Sequence, residues 1–214
     1  PEPISWQVCT EIGSGRIEAM ARANHGVVLV ELGQHQEAYD TALEGLRLAR
    51  ISGEHRTEGW AHHSAQQAAA GLGRFADALA HAQAAVVQFA AHNDPNTARI
   101  DASAAIRHLH ALGRHADALA AADALLTEIG AQGGWGEGAD AVFEPAYNLF
   151  CVLQALGDGR AAGLLDIAFR GLCAQADHMA VHVPRDAFMH GTVLTRSLSA
   201  AWAAAGAGQL ARST

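Results

Sequence analysis

Blocks rich in alanine and leucine alternate along this chain with short polar turns, and four of the blocks end in the same pair, Leu-Gly. The pairs recur after 40, 40 and 44 residues, and five residues after each glycine there is an alanine. The pairs lie at 32–33, 72–73, 112–113 and 156–157, and the alanines are Ala38, Ala78, Ala118 and Ala162. Self-similarity at a fixed period of this length predicts a solenoid of stacked helical units.

Each repeat is predicted to contain two helices. Glycine tolerates the left-handed conformation that ends a helix, so the first helix of each unit ends at its Leu-Gly pair. The alanine then lies where the second helix crosses the first, because a small side chain lets two helices approach closely. First helices are expected near 17–32, 57–72, 97–112 and 141–156. Second helices are expected near 35–51, 75–92, 115–130 and 160–178.

These elements predict an all-α fold in a single domain over residues 1–214. Alanine is the best intrinsic helix former, and there is no alternating run of β-branched residues to suggest a sheet. Asp94-Pro95 marks a stop and restart between units, and Pro184 is well placed to begin a last, capping helix over 184–205. The four repeats are predicted at about 14–53, 54–93, 94–136 and 137–180.

Composition narrows the classes of function. The formal net charge is −8, which argues against a nucleic-acid binder because such proteins cluster positive charge. All 14 basic residues are arginine, so the chain has neither a Schiff-base lysine nor the lysine of a phosphate-binding loop. No apolar run approaches the roughly 18 residues that span a bilayer. We expect no contact with nucleic acid or membrane.

Cysteine and histidine are the residues that invite a metal or redox interpretation. Cys9, Cys151 and Cys173 are widely spaced and odd in number, which is typical of a protein of the reducing cytoplasm. The 13 histidines lack an H-E-x-x-H motif, although two of them, four residues apart, would suit zinc on one helix face. We expect solvated or hydrogen-bonded histidines and no cofactor. The clusters are His62/His63, His108/His110/His115 and His178/His182.

No local signature of an enzyme is present, so we expect a non-catalytic segment. The stretch "IGAQGGWGEGAD" from Ile129 lacks the strand and lysine of a phosphate-binding loop. It is expected to be a loop between repeats, in which Trp135 either packs against a neighbouring helix or anchors a partner.

Two helices per unit with this Leu-Gly and alanine spacing resemble the tetratricopeptide repeat (TPR), and Gly26 falls where that family often has a small residue. The family's usual period is shorter than 40, and HEAT repeats, which span roughly 40–47 residues, are the structural alternative. The TPR resemblance implies a right-handed superhelix of antiparallel helix pairs.

The ends of the chain add to this resemblance. Residues 1–12 look like the end of a preceding second helix, so we expect a fragment of a longer protein. The C-terminal stretch resembles the closing region of large bacterial signalling proteins with TPR arrays, such as ATPase-containing transcriptional regulators and adenylate-cyclase relatives. Thr195 and Met189 depart from that pattern, where histidine and leucine are usual. The residues that fit it are Arg185, Phe188, Arg196 and Trp202.

The resemblance implies that first helices line a concave groove in which a partner binds. Inward positions at spacings of three and four then combine aromatic and polar side chains, as a peptide or small polar ligand requires. They are Trp60, His63, Gln67, Ser103, Arg107, His110, Glu144, Tyr147 and Gln154. The alternative is that Trp60 and Tyr147 pack between repeats and that Arg107 pairs with Asp101 or Glu144.

We therefore expect a cytoplasmic interaction or sensor module of a bacterial signalling or transcriptional regulator. Its partner would be a protein, a peptide or a small-molecule effector. A free-standing adaptor, or a self-association module that forms a homodimer through an exposed end repeat, is the alternative function.

Overall fold

The computed structural model describes residues 15–135 and 142–212, and all regular structure within them is α-helical. The predicted helix end at residues 1–12 and the predicted start of the fourth repeat at residue 137 lie outside the described residues. The first five helices are α1 (Gly15–Glu31), α2 (His35–Ser52), α3 (His55–Gly71), α4 (Phe75–Ala91) and α5 (Pro95–Ala111). The next five are α6 (His115–Ala131), α7 (Phe143–Ala155), α8 (Ala161–Met179), α9 (Arg185–His190) and α10 (Val193–Arg212).

The all-α prediction is confirmed for these residues, and the predicted bounds of the eight repeat helices agree with the observed ones to within two residues. The superhelical geometry of a TPR array stays a prediction. No helix within the described residues is long and apolar enough to cross a membrane.

The Leu-Gly pairs end helices for the predicted reason. At the end of α1, Gly33 has a φ of 75°, and its N–H donates to the carbonyl of Val30 at 2.9 Å. The next N–H, of Gln34, donates to the carbonyl of Leu29 at 2.9 Å, which completes a Schellman motif. Positive φ values recur at the glycines of the other three pairs. Since the motif lies within six residues, each turn is specified locally.

The small-residue prediction holds for three turns and is wrong for the fourth. Ala38, Ala78 and Ala118 are fully buried, whereas Ala162 is exposed and Ala161 is buried instead. The physical reason is an additional turn before α8, where the Asp158 carboxylate accepts the N–H of Arg160 at 2.9 Å. This turn separates α7 from α8 by five residues rather than three, and the buried position shifts by one.

The chain divides into two compact units, Pro1–Gly113 and Arg114–Thr214. Within the first, α1 packs against α2 and α3, and each later helix packs against its neighbours in sequence up to α5. Its apolar core consists of small separate groups of residues, in which alanine provides most of the contacts between helices. Three groups form it: Ala23, Leu46 and Ala61; Leu29, Ala38 and Ala68; and Ala85, Phe89 and Ala98.

The second unit contains α6–α10 and a larger continuous core. Leu165 and Leu172 of α8 are buried against Tyr147 of α7 and Leu198 of α10. Aromatic rings surround this core, and the rings of Phe169 and Trp202 stack at 4.6 Å. The cluster is also bordered by Trp135, Phe143, Phe150 and Phe188.

The capping helix predicted over 184–205 is two helices, α9 and α10, separated at Gly191 and Thr192. Thr192 and Thr195 cap α10 reciprocally: the Thr192 hydroxyl accepts the N–H of Thr195, and the Thr195 hydroxyl accepts the N–H of Thr192, each at 3.2 Å. Such a capping box starts a new helix, which is why one continuous helix does not form. Pro184 immediately precedes α9.

Candidate interaction site

Helix α3 is the most enclosed helix of the first unit, and it carries the polar side chains that distinguish this unit. Small residues let it pack closely on α1; a Cβ added at Gly26 would lie 2.1 Å from the Oγ of Ser64. One stripe of α3, spaced by three and four residues, contains the predicted groove residues Trp60, His63 and Gln67. Trp60 and Gln67 are partly exposed and His63 is buried between them.

Trp60 packs between helix pairs, as the alternative interpretation of this residue stated. Its ring meets the ring of Phe89 edge-on with centroids 5.2 Å apart, and that of His63 at 5.5 Å. It borders both the Ala23 group and the Phe89 group of the core. An indole held on both sides has little rotamer freedom left to lose on binding a partner.

His63 is fixed at both ring nitrogens. Its Nδ1 lies 3.0 Å from Oδ1 of Asp101 on α5, and its Nε2 lies 3.1 Å from Nε2 of Gln67. With Nδ1–H donating to the carboxylate, Nε2 accepts from the amide of Gln67. The Asp101 side chain is fully buried, and its Oδ2 has no hydrogen-bond partner among the described residues. The sequence suggested Asp101 only as a partner of Arg107, because nothing in the pattern of α5 indicates a contact with a histidine 38 residues away.

The predicted groove residues on α5 differ in exposure. Ser103 is buried, and its hydroxyl donates to the carbonyl of Ile100 at 2.7 Å, within the same helix. Arg107 is exposed and His110 is partly exposed. Arg107 is therefore the most accessible charged residue of this set in the first unit.

The remaining three predicted residues belong to α7 in the second unit. Tyr147 is buried in the apolar core, and its ring stacks on that of Phe150 at 5.7 Å. Glu144 is partly exposed and Gln154 is exposed. Trp135, the other aromatic residue singled out in the sequence, packs against the same core.

Further histidines of the first unit pair across helices rather than with their sequence neighbours. Nδ1 of His62 lies 2.8 Å from Nδ1 of His81 on α4, and Nε2 of His81 lies 3.3 Å from the hydroxyl of Tyr39 on α2. Nε2 of His108 on α5 lies 2.8 Å from Oε1 of Gln66 on α3. The sequence showed His62 and His108 only as members of linear clusters, whereas the contacts depend on the register between helices.

Burial sets the protonation of these rings. Desolvation, with smaller contributions from His81 and Arg50, lowers the pKa of His62 from 6.5 to about 4. Desolvation and the nearby charge of Arg107 lower the pKa of His108 to about 4. The pKa of His81 is also lowered, chiefly by burial. These three rings are therefore neutral at pH 7.

The metal interpretation of the histidines finds no geometric support within the described residues. No group of three or more His, Cys, Asp or Glu side chains is placed there to hold a metal ion. His178 is exposed near the end of α8, and His182 lies beyond that helix, so the two do not share a helix face.

No protein-family model matches this chain, and no curated protein matches it. The resemblance to the TPR family therefore stays a prediction.

Proposed function

We propose that this chain is a non-catalytic interaction module that binds a protein, a peptide or a small-molecule effector through the partly exposed side chains of α3 and the exposed Arg107 of α5. It would act in the cytoplasm as part of a bacterial signalling or transcriptional regulator with TPR-type repeats. The observation that carries the proposal is the stripe of Trp60, His63 and Gln67, which is held in one conformation by Phe89 and Asp101.

Preorganisation is what makes this stripe suited to binding. An aromatic anchor flanked by polar groups supplies most of the affinity in many interfaces, and side chains that are already ordered lose less entropy when a partner docks. Gln67 is partly exposed and has amide donors and an acceptor for a peptide backbone. Arg107, exposed on α5, offers a guanidinium to a carboxylate.

The same hydrogen bonds favour binding over catalysis. A general base needs a ring nitrogen within reach of the proton that it removes. Both nitrogens of His63 already have partners, and the two Nδ1 atoms of His62 and His81 contact each other.

Peptide selection followed by mutation tests the proposal. We would select binders to the purified chain from a random peptide library and measure their affinity calorimetrically for Gln67→Ala and Arg107→Ala. We expect a tenfold or greater loss, equivalent to about 1.4 kcal/mol, for at least one of the two. Arg47→Ala, exposed on α2, is the matched control and should bind like the wild type. Unchanged affinity in both test variants would exclude this surface.

Self-association is the second candidate, and an apolar stripe on α1 favours it. Ile17 and Val28 are 51% and 54% exposed, whereas Thr57 and Ala68, which lie 40 residues later at the equivalent positions of α3, are 1% and 0% exposed. Within the described residues, the repeat thus buries in α3 a face that remains exposed on α1. We propose that a second copy of the chain covers this face.

Light scattering over a range of concentrations tests that candidate. A concentration-dependent dimer that Val28→Glu abolishes would support it. Val87→Glu, on an exposed valine of α4, is the matched control and should leave the dimer intact. A monomer at every concentration would reject self-association.

A further inference from the structure

Two imidazole rings face each other inside the first unit at the junction of three helices. His62 of α3 and His81 of α4 have their Nδ1 atoms 2.8 Å apart and their ring centroids 5.1 Å apart. His81 extends the contact to α2 through the hydroxyl of Tyr39, whose ring it meets edge-on at 5.8 Å. This histidine pair therefore connects the second helix of one pair to both helices of the next.

Proton counting limits the charge that the pair can carry. A 2.8 Å contact between two nitrogens requires one donor and one acceptor, so a single hydrogen lies between the two Nδ1 atoms. One ring can take a further proton at its Nε2 and keep the contact. If both rings are protonated, both Nδ1 atoms carry hydrogen, and two cations face each other with no acceptor between them.

We infer that the His62–His81 pair is an acid-operated switch that holds α2, α3 and α4 together at neutral pH and separates α3 from α4 when both rings are protonated. This behaviour differs from the acid sensitivity of a single buried histidine, because α3 and α4 separate only when the pair takes up its second proton. The two rings must therefore titrate as one coupled unit.

The charges around the pair act in both directions. Arg50 of α2 disfavours protonation of both rings, whereas Asp77 of α4 favours protonation of His81. Burial is the largest influence on each ring and keeps both neutral at pH 7. Burial, Asp77 and Asp40 raise the pKa of the Tyr39 hydroxyl, whereas Arg74 lowers it.

On α1 and α5, which also pack on α3, the following titratable groups contact residues other than the pair. On α5, Asp101 contacts His63 and His108 contacts Gln66. On α1, the guanidinium of Arg22 donates to the carboxylate of Glu18 at 2.8 Å. Among the described residues no carboxylate accepts a hydrogen bond from His62 or His81, and Asp77 acts on His81 only through its charge.

Opening would displace the stripe proposed above as a binding surface, because His62 and His63 are consecutive in α3. The switch itself does not depend on that stripe having a ligand. If the peptide selection yields no binder, the proposed switch is not contradicted. If the histidine titrations contradict the switch, the proposed binding surface is not contradicted.

Nuclear magnetic resonance of the histidine rings tests the switch on the unmodified chain. Nitrogen chemical shifts followed from pH 8 to pH 3.5 should show His62 and His81 neutral at pH 7, with mutually dependent titrations below pH 6. Loss of hydrogen-exchange protection in α3 and α4 should accompany the second proton. Ordinary, independent titration of either ring near pH 6.5 would overturn the inference.

A double-mutant cycle separates coupling from burial. A glutamine in place of either histidine can accept from the remaining protonated ring through its Oε1, so His62→Gln and His81→Gln should each lower the pH of opening by roughly one unit. The double variant should add little to either single change. Additive shifts, or no shift in either single variant, would contradict the coupled pair. His178→Gln, on an exposed ring, is the control that should change nothing.

Discussion

The two units of this chain hold their helices together by different means. In the first, alanine contacts leave room for hydrogen bonds between helices, such as His63–Asp101, His108–Gln66 and His62–His81. In the second, α7, α8 and α10 are joined by large side chains, with Leu172 and Leu198 fully buried and aromatic rings around them. Buried apolar area stabilises a contact at any pH, whereas a hydrogen bond to a buried histidine depends on the proton.

This difference teaches where to look for function. Hydrogen bonds specify geometry more strictly than apolar contacts, because donors and acceptors must align and an unpaired buried group is costly. The first unit thus has a preorganised polar surface, but its stability depends on the pH. The stability of the second unit is expected to depend less on the pH.

Acidification should reveal the largest difference between the two units, because it should destabilise the first unit more than the second. His62 and His108 have folded pKa values of about 4 against 6.5 when unfolded, so the unfolded chain binds more protons below pH 6.5. Their contribution is fully present above pH 6.5 and is lost as the pH falls towards 4, by about 3 kcal/mol for His108. Peptide-resolved hydrogen exchange at pH 7 and pH 4.5 should show the loss in α3–α5. An equal loss of protection in α8 would contradict the claim that the first unit is the more acid-sensitive of the two.

Shortening a core side chain of the second unit should give a loss that pH does not change. Leu172→Ala removes a fully buried side chain and should cost about 2–5 kcal/mol in urea unfolding. Leu172→Met, which keeps the volume, should cost less than about 1.5 kcal/mol. The loss should be the same at pH 7 and pH 5.5, and a strong pH dependence would argue against the apolar description of this unit.

Removing the acceptor for His63 should have a smaller effect. Asp101→Ala leaves the buried Nδ1–H of His63 without its carboxylate, at a cost of about 1–3 kcal/mol in the free energy of unfolding. Asp101→Asn keeps an oxygen in place and should retain most of the stability. If both variants unfold at the same urea concentration, the hydrogen bond does not stabilise the α3–α5 contact.

The smallest expected effect concerns the close approach of α1 and α3. Gly26→Ala places a Cβ against the hydroxyl of Ser64, which has no hydrogen-bond partner within the described residues, and should cost about 1 kcal/mol. In a Ser64→Ala background the obstacle is gone, and the same substitution should be neutral or stabilising in thermal unfolding. A cost that persists in the double variant would place the conflict elsewhere, at the carbonyl of Ala38.

The helices could be predicted from the sequence because their stop signals are local, and the contacts of the site could not. Gly33 and its equivalents end helices through bonds within six residues. The predicted single helix over 184–205 is divided at Thr192 by the reciprocal cap with Thr195, and the buried position predicted at Ala162 shifts because Asp158 adds a turn. The pairing of His62 with His81 depends on the register between α3 and α4, and the spacing of residues along the sequence does not specify that register.

The self-contained Leu-Gly turns also have an evolutionary consequence. Because each turn is completed by residues of its own helix end, a copied unit brings its stop signal with it and needs no adjustment in its neighbours. The near-identity of "LGRFADALAHA" and "LGRHADALAAA", forty residues apart, is what tandem duplication of a forty-codon segment would leave behind. A gene built in this way can change the number of its helix pairs in one recombination event, before selection has refined any of the new side chains.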